Sequence, residues 1–297
     1  MFAVAGAVLA VSTAAILIKF AQQDVPSLTI AALRLVFASL TLAPLAARRR
    51  AELNGMARRE LGFALLAGLF LALHFATWIS SLAFTSVASS VVLVTTTPLW
   101  VALVSPFALK EPLKREAVFG LALALVGGII VGLGDACGGW DKLVCPPWDE
   151  FFMLKGQALF GNFLALVGAW MAAGYLLIGR RLRAKLSLTT YTFVVYGAAA
   201  LGLAAAMFAA GQSPFGYSPL AYLWLLALAL IPQLLGHSTL NWALRYLPAS
   251  FVSIALLGEP VGSTVLAYFL LGETPTPLKL VGMGLILTGI YAASIEG

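Results

Sequence analysis

The chain carries uninterrupted apolar runs of 17 to 25 residues from one end to the other, separated by short charged or Gly- and Pro-bearing breaks. A helix rises 1.5 Å per residue, so about 20 residues match the roughly 30 Å hydrocarbon core of a bilayer. Lipid offers no partner to backbone N–H and C=O groups, and only helices or closed barrels satisfy them internally. Barrel strands need only about 10 residues, so runs of this length predict helices. Composition agrees: 61% of the residues are hydrophobic and 10% charged, whereas soluble domains are about a quarter charged. Mean hydropathy is +0.98. Nothing outside the runs is large enough for a soluble domain.

The runs lie near 2–21, 27–46, 61–83, 86–108, 116–134, 156–179, 188–210, 220–243, 249–271 and 279–295. They predict an all-α integral membrane protein of ten transmembrane helices. The first run lacks a basic segment before it and a cleavage site after it, so a retained helix is expected rather than a signal peptide. With ten spans both termini share one face. Thirteen of the 18 Lys and Arg residues fall in loops on that face, among them Arg48, Arg49, Arg50, Arg180, Arg181 and Arg183. The positive-inside rule then predicts cytoplasmic termini in a bacterial-type inner membrane. The net charge of +6 is accounted for as a topology signal, and no nucleic-acid partner is expected.

Cys137 and Cys145, the only cysteines, fall in the longest loop, 135–155, on the predicted outer face. A disulfide between them is expected in an oxidising compartment, with two free thiols as the alternative. No His or acidic residue stands near them at zinc spacing, so no metal is predicted, and no cofactor motif occurs.

An internal repeat organises the chain. A shift of 162 residues lays Pro98 on Pro260, Leu109 on Leu271, Glu111 on Glu273, Gly120 on Gly282 and Gly127 on Gly289 without a gap. Chance likeness between apolar stretches matches Leu and Ala but seldom keeps Pro, Glu and Gly in register, so duplication is the better account. The halves are 1–134 and 156–297, joined by the 135–155 loop. Five spans per half is an odd number, so the second half is expected to enter the membrane inverted. Arginines agree: the loop after the second span has five, and its counterpart at 211–219 has none. Inverted repeats of this kind place a substrate site near the midplane between the halves.

The stretch 84–133, FTSVASSVVLVTTTPLWVALVSPFALKEPLKREAVFGLALALVGGIIVGL, and the stretch 246–292 with its LPAS, EP and GETPTPLKLVG segments resemble EamA-type repeats of the drug/metabolite transporter superfamily. The resemblance covers the whole chain. It implies two inverted five-helix repeats around a central cavity, with the fifth and tenth helices at its back. It also implies a secondary transporter working by alternating access. Bacterial exporters of amino acids, aromatic ones included, are the most similar members in character.

Ionisable groups cost several kcal/mol in hydrocarbon, so the few within spans are the first site candidates. Arg34 and Glu259 lie inside the second and ninth spans, where their repeat counterparts are Val194 and Thr97, and Thr97 is a further site candidate. A guanidinium suits a substrate carboxylate; Glu259 suits an amine or a transported proton. A structural ion pair is the other reading of the two. The two histidines occupy near-equivalent places. His74, Trp78 and Ser81 share one helical stripe, as do Gln233, His237 and Asn241. Such stripes face a bundle interior, either lining a cavity or hydrogen-bonding between helices. Trp78, Trp100, Trp170 and Tyr175 lie away from the interfaces where aromatic belts form, and their rings can wall a site or simply pack. Pro98 and Pro260 sit mid-span, each freeing a backbone carbonyl, and are candidate hinges.

The expected function is export of small organic metabolites, most simply amino acids or related zwitterionic or apolar compounds, with protons as a candidate coupling ion. Phosphorylated sugars or nucleotide-sugars are the alternative substrates, though these call for several cationic groups and only Arg34 and Lys19 are available. An intramembrane enzyme or a sensor is the other alternative. The sequence has no HExxH, Walker segment, paired carboxylates on one helix or nucleophile beside a His. The oligomeric state is not specified by these features.

Overall fold

The computed structural model describes residues 2–110, 115–136 and 156–294. Glu111, Cys137 and Cys145, and with them the expected disulfide, lie outside these. The regular structure of the described residues is all helical, joined by short turns and loops, and forms an integral membrane bundle. Eight helical rods are long and apolar enough to cross a bilayer: Phe2–Ala21, Ser27–Ala47, Arg58–Ser81, Val87–Ala108, Phe160–Arg183, Leu188–Ala209, Pro219–Ala243 and Ala249–Leu271. Two further helices, Arg115–Ala136 and Pro277–Ser294, carry shorter apolar stretches and pack chiefly on each other.

In chain order the helices are α1 (Phe2–Ser12), α2 (Ala14–Ala21), α3 (Ser27–Ala47), the short α4 (Arg50–Asn54), α5 (Arg58–Ser81), α6 (Val87–Val94), α7 (Thr97–Ala108) and α8 (Arg115–Ala136). They continue as α9 (Gly156–Arg183), α10 (Leu188–Ala209), α11 (Pro219–Leu228), α12 (Ser238–Ala243), α13 (Ala249–Ala255), α14 (Glu259–Leu271) and α15 (Pro277–Ser294). Helix starts follow local chemistry. Ser86, Ser187 and Ser218 each accept a hydrogen bond from the backbone N–H three residues on, satisfying a donor the first turn leaves open.

Several rods are interrupted, and the interruptions are where the polar residues gather. Between α6 and α7 the chain breaks at Thr95–Thr96, and between α13 and α14 it tightens into a 3₁₀ turn at Leu256–Gly258. The same 162-residue shift lays residues 94–96 on 256–258, and each following helix has its proline at the second position. Proline fits a first turn because the N–H it lacks has no partner there. A left-handed residue also recurs in register: Lys110 (φ +58°) and Gly272 (φ +71°) end α7 and α14.

Two expectations about boundaries needed correction. The run 220–243 is not a uniform helix, because Ala229–His237 between α11 and α12 is a π-helix. It contains Pro232, which withholds its N–H from the ladder and forces the wider turn. The run ending near 179 continues to Arg183. Arg180 donates to the Leu244 carbonyl at 2.8 Å, and buried Arg183 donates to the Asn241 carbonyl at 3.0 Å and to Leu186. These arginines thus satisfy backbone acceptors.

Helices α5 and α10 approach closely at Gly68, where a Cβ would stand 2.6 Å from the Ala198 Cβ. Helices α8 and α15 do so at Gly127, whose Cβ would meet the Gly282 carbonyl oxygen at 2.5 Å. Without a hydrophobic force between helices in lipid, this close backbone packing is what joins them. Latches join the two ends of α10 to α4 and to α3. At the arginine-bearing end Glu52 accepts from the Ser187 N–H at 2.6 Å. At the other end Thr29 donates to Gln212 at 3.0 Å. A shift of 160 residues lays Glu52 on Gln212, so the two acceptors are repeat counterparts, whereas the donors Ser187 and Thr29 are not: Ser187 matches Ser27, two residues before Thr29.

Candidate functional site

A narrow cavity opens where the interrupted rods meet. Its lining includes His74, Trp78, Thr95 and Thr97 from residues 1–134, and Tyr175, His237, Asn241 and Glu259 from residues 156–297. The volume open to the centre of a water molecule is ≈ 40 Å³. One water needs about 10 to 15 Å³ on that measure, so the space holds a few waters and an organic solute enters only if helices part. A second, larger cavity of ≈ 280 Å³ lies on the far side of the α6–α7 break, between it and α8 and α15; Thr95 borders both.

Backbone geometry aims the polar groups. The Gly168 carbonyl can only accept, so His74 Nδ1, 2.9 Å away, carries a proton and donates it to that carbonyl. The His74 ring stacks on Trp78 at 5.8 Å, and the Trp78 indole N–H is buried without a partner. Gly168 also lets α9 close on this wall, since a Cβ there would sit 3.2 Å from that of Trp78. Across the cavity the Asn241 amide donates to the hydroxyls of Tyr175 and, at 3.2 Å, of Tyr196. A hydroxyl that accepts keeps its own proton to donate, and the Tyr175 hydroxyl has the Tyr196 hydroxyl as a further neighbour. Thr97 differs: its hydroxyl already donates to the Val94 carbonyl at 2.8 Å. Glu259 starts α14 at the cavity wall, 7% exposed.

Seven sequence candidates, His74, Trp78, Thr97, Tyr175, His237, Asn241 and Glu259, thus share one cavity, with Pro98 and Pro260 beside the helix breaks. The other four stand apart from it. Trp100 and Trp170 pack edge to face at 5.4 Å, and Trp170 is 37% exposed. Arg34 and Gln233 are fully buried behind the wall. Arg34 Nε donates to Gln233 Oε1 at 3.0 Å, and its guanidinium lies 4.1 Å from the centroid of the Phe75 ring. Thr95 on the lining, and Phe75 and Tyr196 behind it, are residues missed. Phe75 meets the His237 ring edge-on at 5.5 Å and so separates Arg34 from the cavity. An apolar residue beside a histidine on an apolar helix gives no signal by type alone. Tyr196 had one, a buried hydroxyl on an apolar run, matching the logic applied to Tyr175.

No group of three or more His, Cys, Asp or Glu side chains is placed to hold a metal among the described residues.

Comparison with known proteins follows the same outline. A profile of the EamA-like transporter family matches residues 1–133 and 159–295. A protein of Archaeoglobus fulgidus described as an uncharacterized transporter is 24% identical over 269 residues, which cover 90% of this chain and 86% of that one. A solved structure titled only as the crystal structure of a protein superposes with a TM-score of 0.74 at 19% identity. It covers 99% of this chain and 96% of its own, a likeness of fold.

Proposed function

The chain belongs to the EamA-like transporter family, a branch of the drug/metabolite transporter superfamily, and from that premise we propose that this membrane transporter exports small organic metabolites by alternating access. Amino acids and related zwitterionic or apolar compounds are the favoured substrates. The observation that carries this is the cavity itself. Both halves of the chain line it, its lining is largely apolar and aromatic, and among the described residues its polar groups include hydroxyls, an amide, two imidazoles and one carboxylate, Glu259. Phosphorylated sugars fit less well, because phosphate asks for several cations and none lines the cavity.

The helix breaks at 95–96 and 256–258 support the alternating-access reading, since short helices jointed beside a cavity can tilt separately. Both termini are assigned to the cytoplasm of a bacterial-type inner membrane from the arginine distribution. Single cysteines placed at Phe215 and Ala184, both exposed, test this: a membrane-impermeant maleimide should label the first in intact cells and the second only after permeabilisation. The opposite pattern refutes the orientation. Counterflow of labelled amino acids in proteoliposomes tests the function. Solute exchanged unchanged supports transport, chemically altered solute refutes it in favour of an enzyme, and no exchange of any amino acid refutes the substrate class.

A further inference from the structure

Arg34 is the most unusual group in the membrane interior. Its side chain is fully buried on α3, yet only Nε has a hydrogen-bond partner; Nη1 and Nη2 are both buried without one. The partner of Nε, Gln233, is also fully buried, and its Nε2 is a further donor without an acceptor. Three N–H-bearing atoms thus stand together with nothing to bind, two of them carrying a positive charge. Buried donors in native proteins are nearly always paired, and an unpaired buried cation is among the costliest arrangements. Three such atoms in one place describe a site built for an oxygen anion. Two parallel guanidinium donors match the two oxygens of a carboxylate.

The counter-charge is Glu259, which attracts Arg34 through space without touching it. Glu259 lines the cavity; Arg34 lies one ring behind its wall, covered by Phe75, whose other neighbour His237 is again a lining residue. Opposite charges held apart in a low-dielectric interior, Glu259 on the cavity wall and Arg34 one ring behind it, form a fixed dipole. We infer that Arg34 with Gln233 is the carboxylate subsite, and Glu259 the ammonium subsite, of a pocket that selects zwitterions over monocations and monoanions of the same shape. A monocation would neutralise Glu259 and leave Arg34 uncompensated; a monoanion would do the reverse. Only a zwitterion answers both charges and leaves the membrane interior neutral. Phe75 must turn aside for the carboxylate to reach the guanidinium, which makes its ring the cover of this subsite.

The inference rests on the transport reading, and the experiment separates the two. Counterflow in proteoliposomes and ligand-induced shifts of the thermal unfolding midpoint are measured with three solutes of one shape: phenylalanine, phenethylamine and 3-phenylpropionate. The parent protein should favour phenylalanine by about a hundredfold over either ion, the scale of an uncompensated buried charge. Arg34→Gln should shift preference to phenethylamine, and Glu259→Gln should shift it to 3-phenylpropionate. Arg34→Lys, which keeps the charge and loses the fork, should keep the zwitterion preference at reduced affinity. If Arg34→Gln does not yield folded protein, Glu259→Gln still decides. A parent that takes phenethylamine as readily as phenylalanine overturns the inference, as do variants that keep the parent's order. Absence of counterflow for all three solutes refutes the amino-acid transport reading instead. The midpoint shifts then judge the charge rule alone, and variants that bind neither matched ion refute it.

Discussion

Gly68 offers a measurement in which the same substitution on the same helix should change sign. A Cβ added there would lie 2.6 Å from the Ala198 Cβ, 2.9 Å from the Val195 carbonyl oxygen and 3.3 Å from the Ala199 nitrogen. Carbon atoms pack best about 3.5 to 4.0 Å apart, so Gly68→Ala requires α5 and α10 to separate by about 1 Å. Overpacking of this kind costs about 1 to 3 kcal/mol. Gly62, six residues earlier on α5, has nothing within 4 Å of the added Cβ. Gly62→Ala should therefore show only the helix-propensity gain of up to about 1 kcal/mol. Thermal midpoints of detergent-purified protein, read by size-exclusion after heating and compared at one heating rate, should rise for Gly62→Ala and fall for Gly68→Ala. Transport should fall only for the second, because Val195 precedes Tyr196, whose hydroxyl holds Asn241. Equal midpoints and equal transport for the two variants would show that close backbone approach does not join these helices.

Lys110 holds a left-handed backbone that disfavours a side chain, at the place where the other half has Gly272. Lys110→Gly should raise the thermal midpoint, corresponding to relief of about 1 to 2 kcal/mol, and Gly272→Ala should lower it; changes of the same sign in both would refute the argument. Asp24 accepts from the Ser218 N–H at 2.7 Å at the end opposite the arginine clusters. That backbone bond holds its carboxyl below the usual 3.8. A depressed value in the folded state means the bond's contribution is present above the unfolded pKa and is lost as pH falls through the folded one. Asp24→Asn should therefore lower the midpoint slightly at pH 7, and the difference should shrink below about pH 4; a difference unchanged by acid would refute the assignment.

Much of the candidate cavity was legible because the membrane makes polarity expensive. His74, His237, Asn241, Tyr175 and Glu259 stood out as polar residues in apolar runs, and helical spacing placed His74, His237 and Asn241 on inward stripes; the structure brings all five to one cavity. The two-half register was legible too. The shift that matched prolines also matches the helix breaks and the left-handed helix ends. Other breaks left no comparable trace. The rod at the N-terminus is interrupted at Thr13, where the hydroxyl bonds the Ala10 carbonyl at 2.7 Å, and a lone Thr in an apolar run does not announce that.

The lengths and apolarity of the runs determined by themselves that this chain is a membrane-embedded helical protein, since backbone satisfaction in lipid permits little else. They could not determine which side of each helix meets protein. In water, hydropathy separates core from surface; in a bilayer both are apolar, and that distinction disappears. Trp78 and Trp170 are both mid-run tryptophans, yet one is 2% exposed on the cavity wall and the other 37% exposed beside Trp100. Arg34 meets Gln233 across 199 residues of sequence. Periodicity is a property of one helix, whereas such a contact depends on the rotation and depth of two, and these are fixed only when close-packed positions such as Gly68 and Gly127 lock the bundle together.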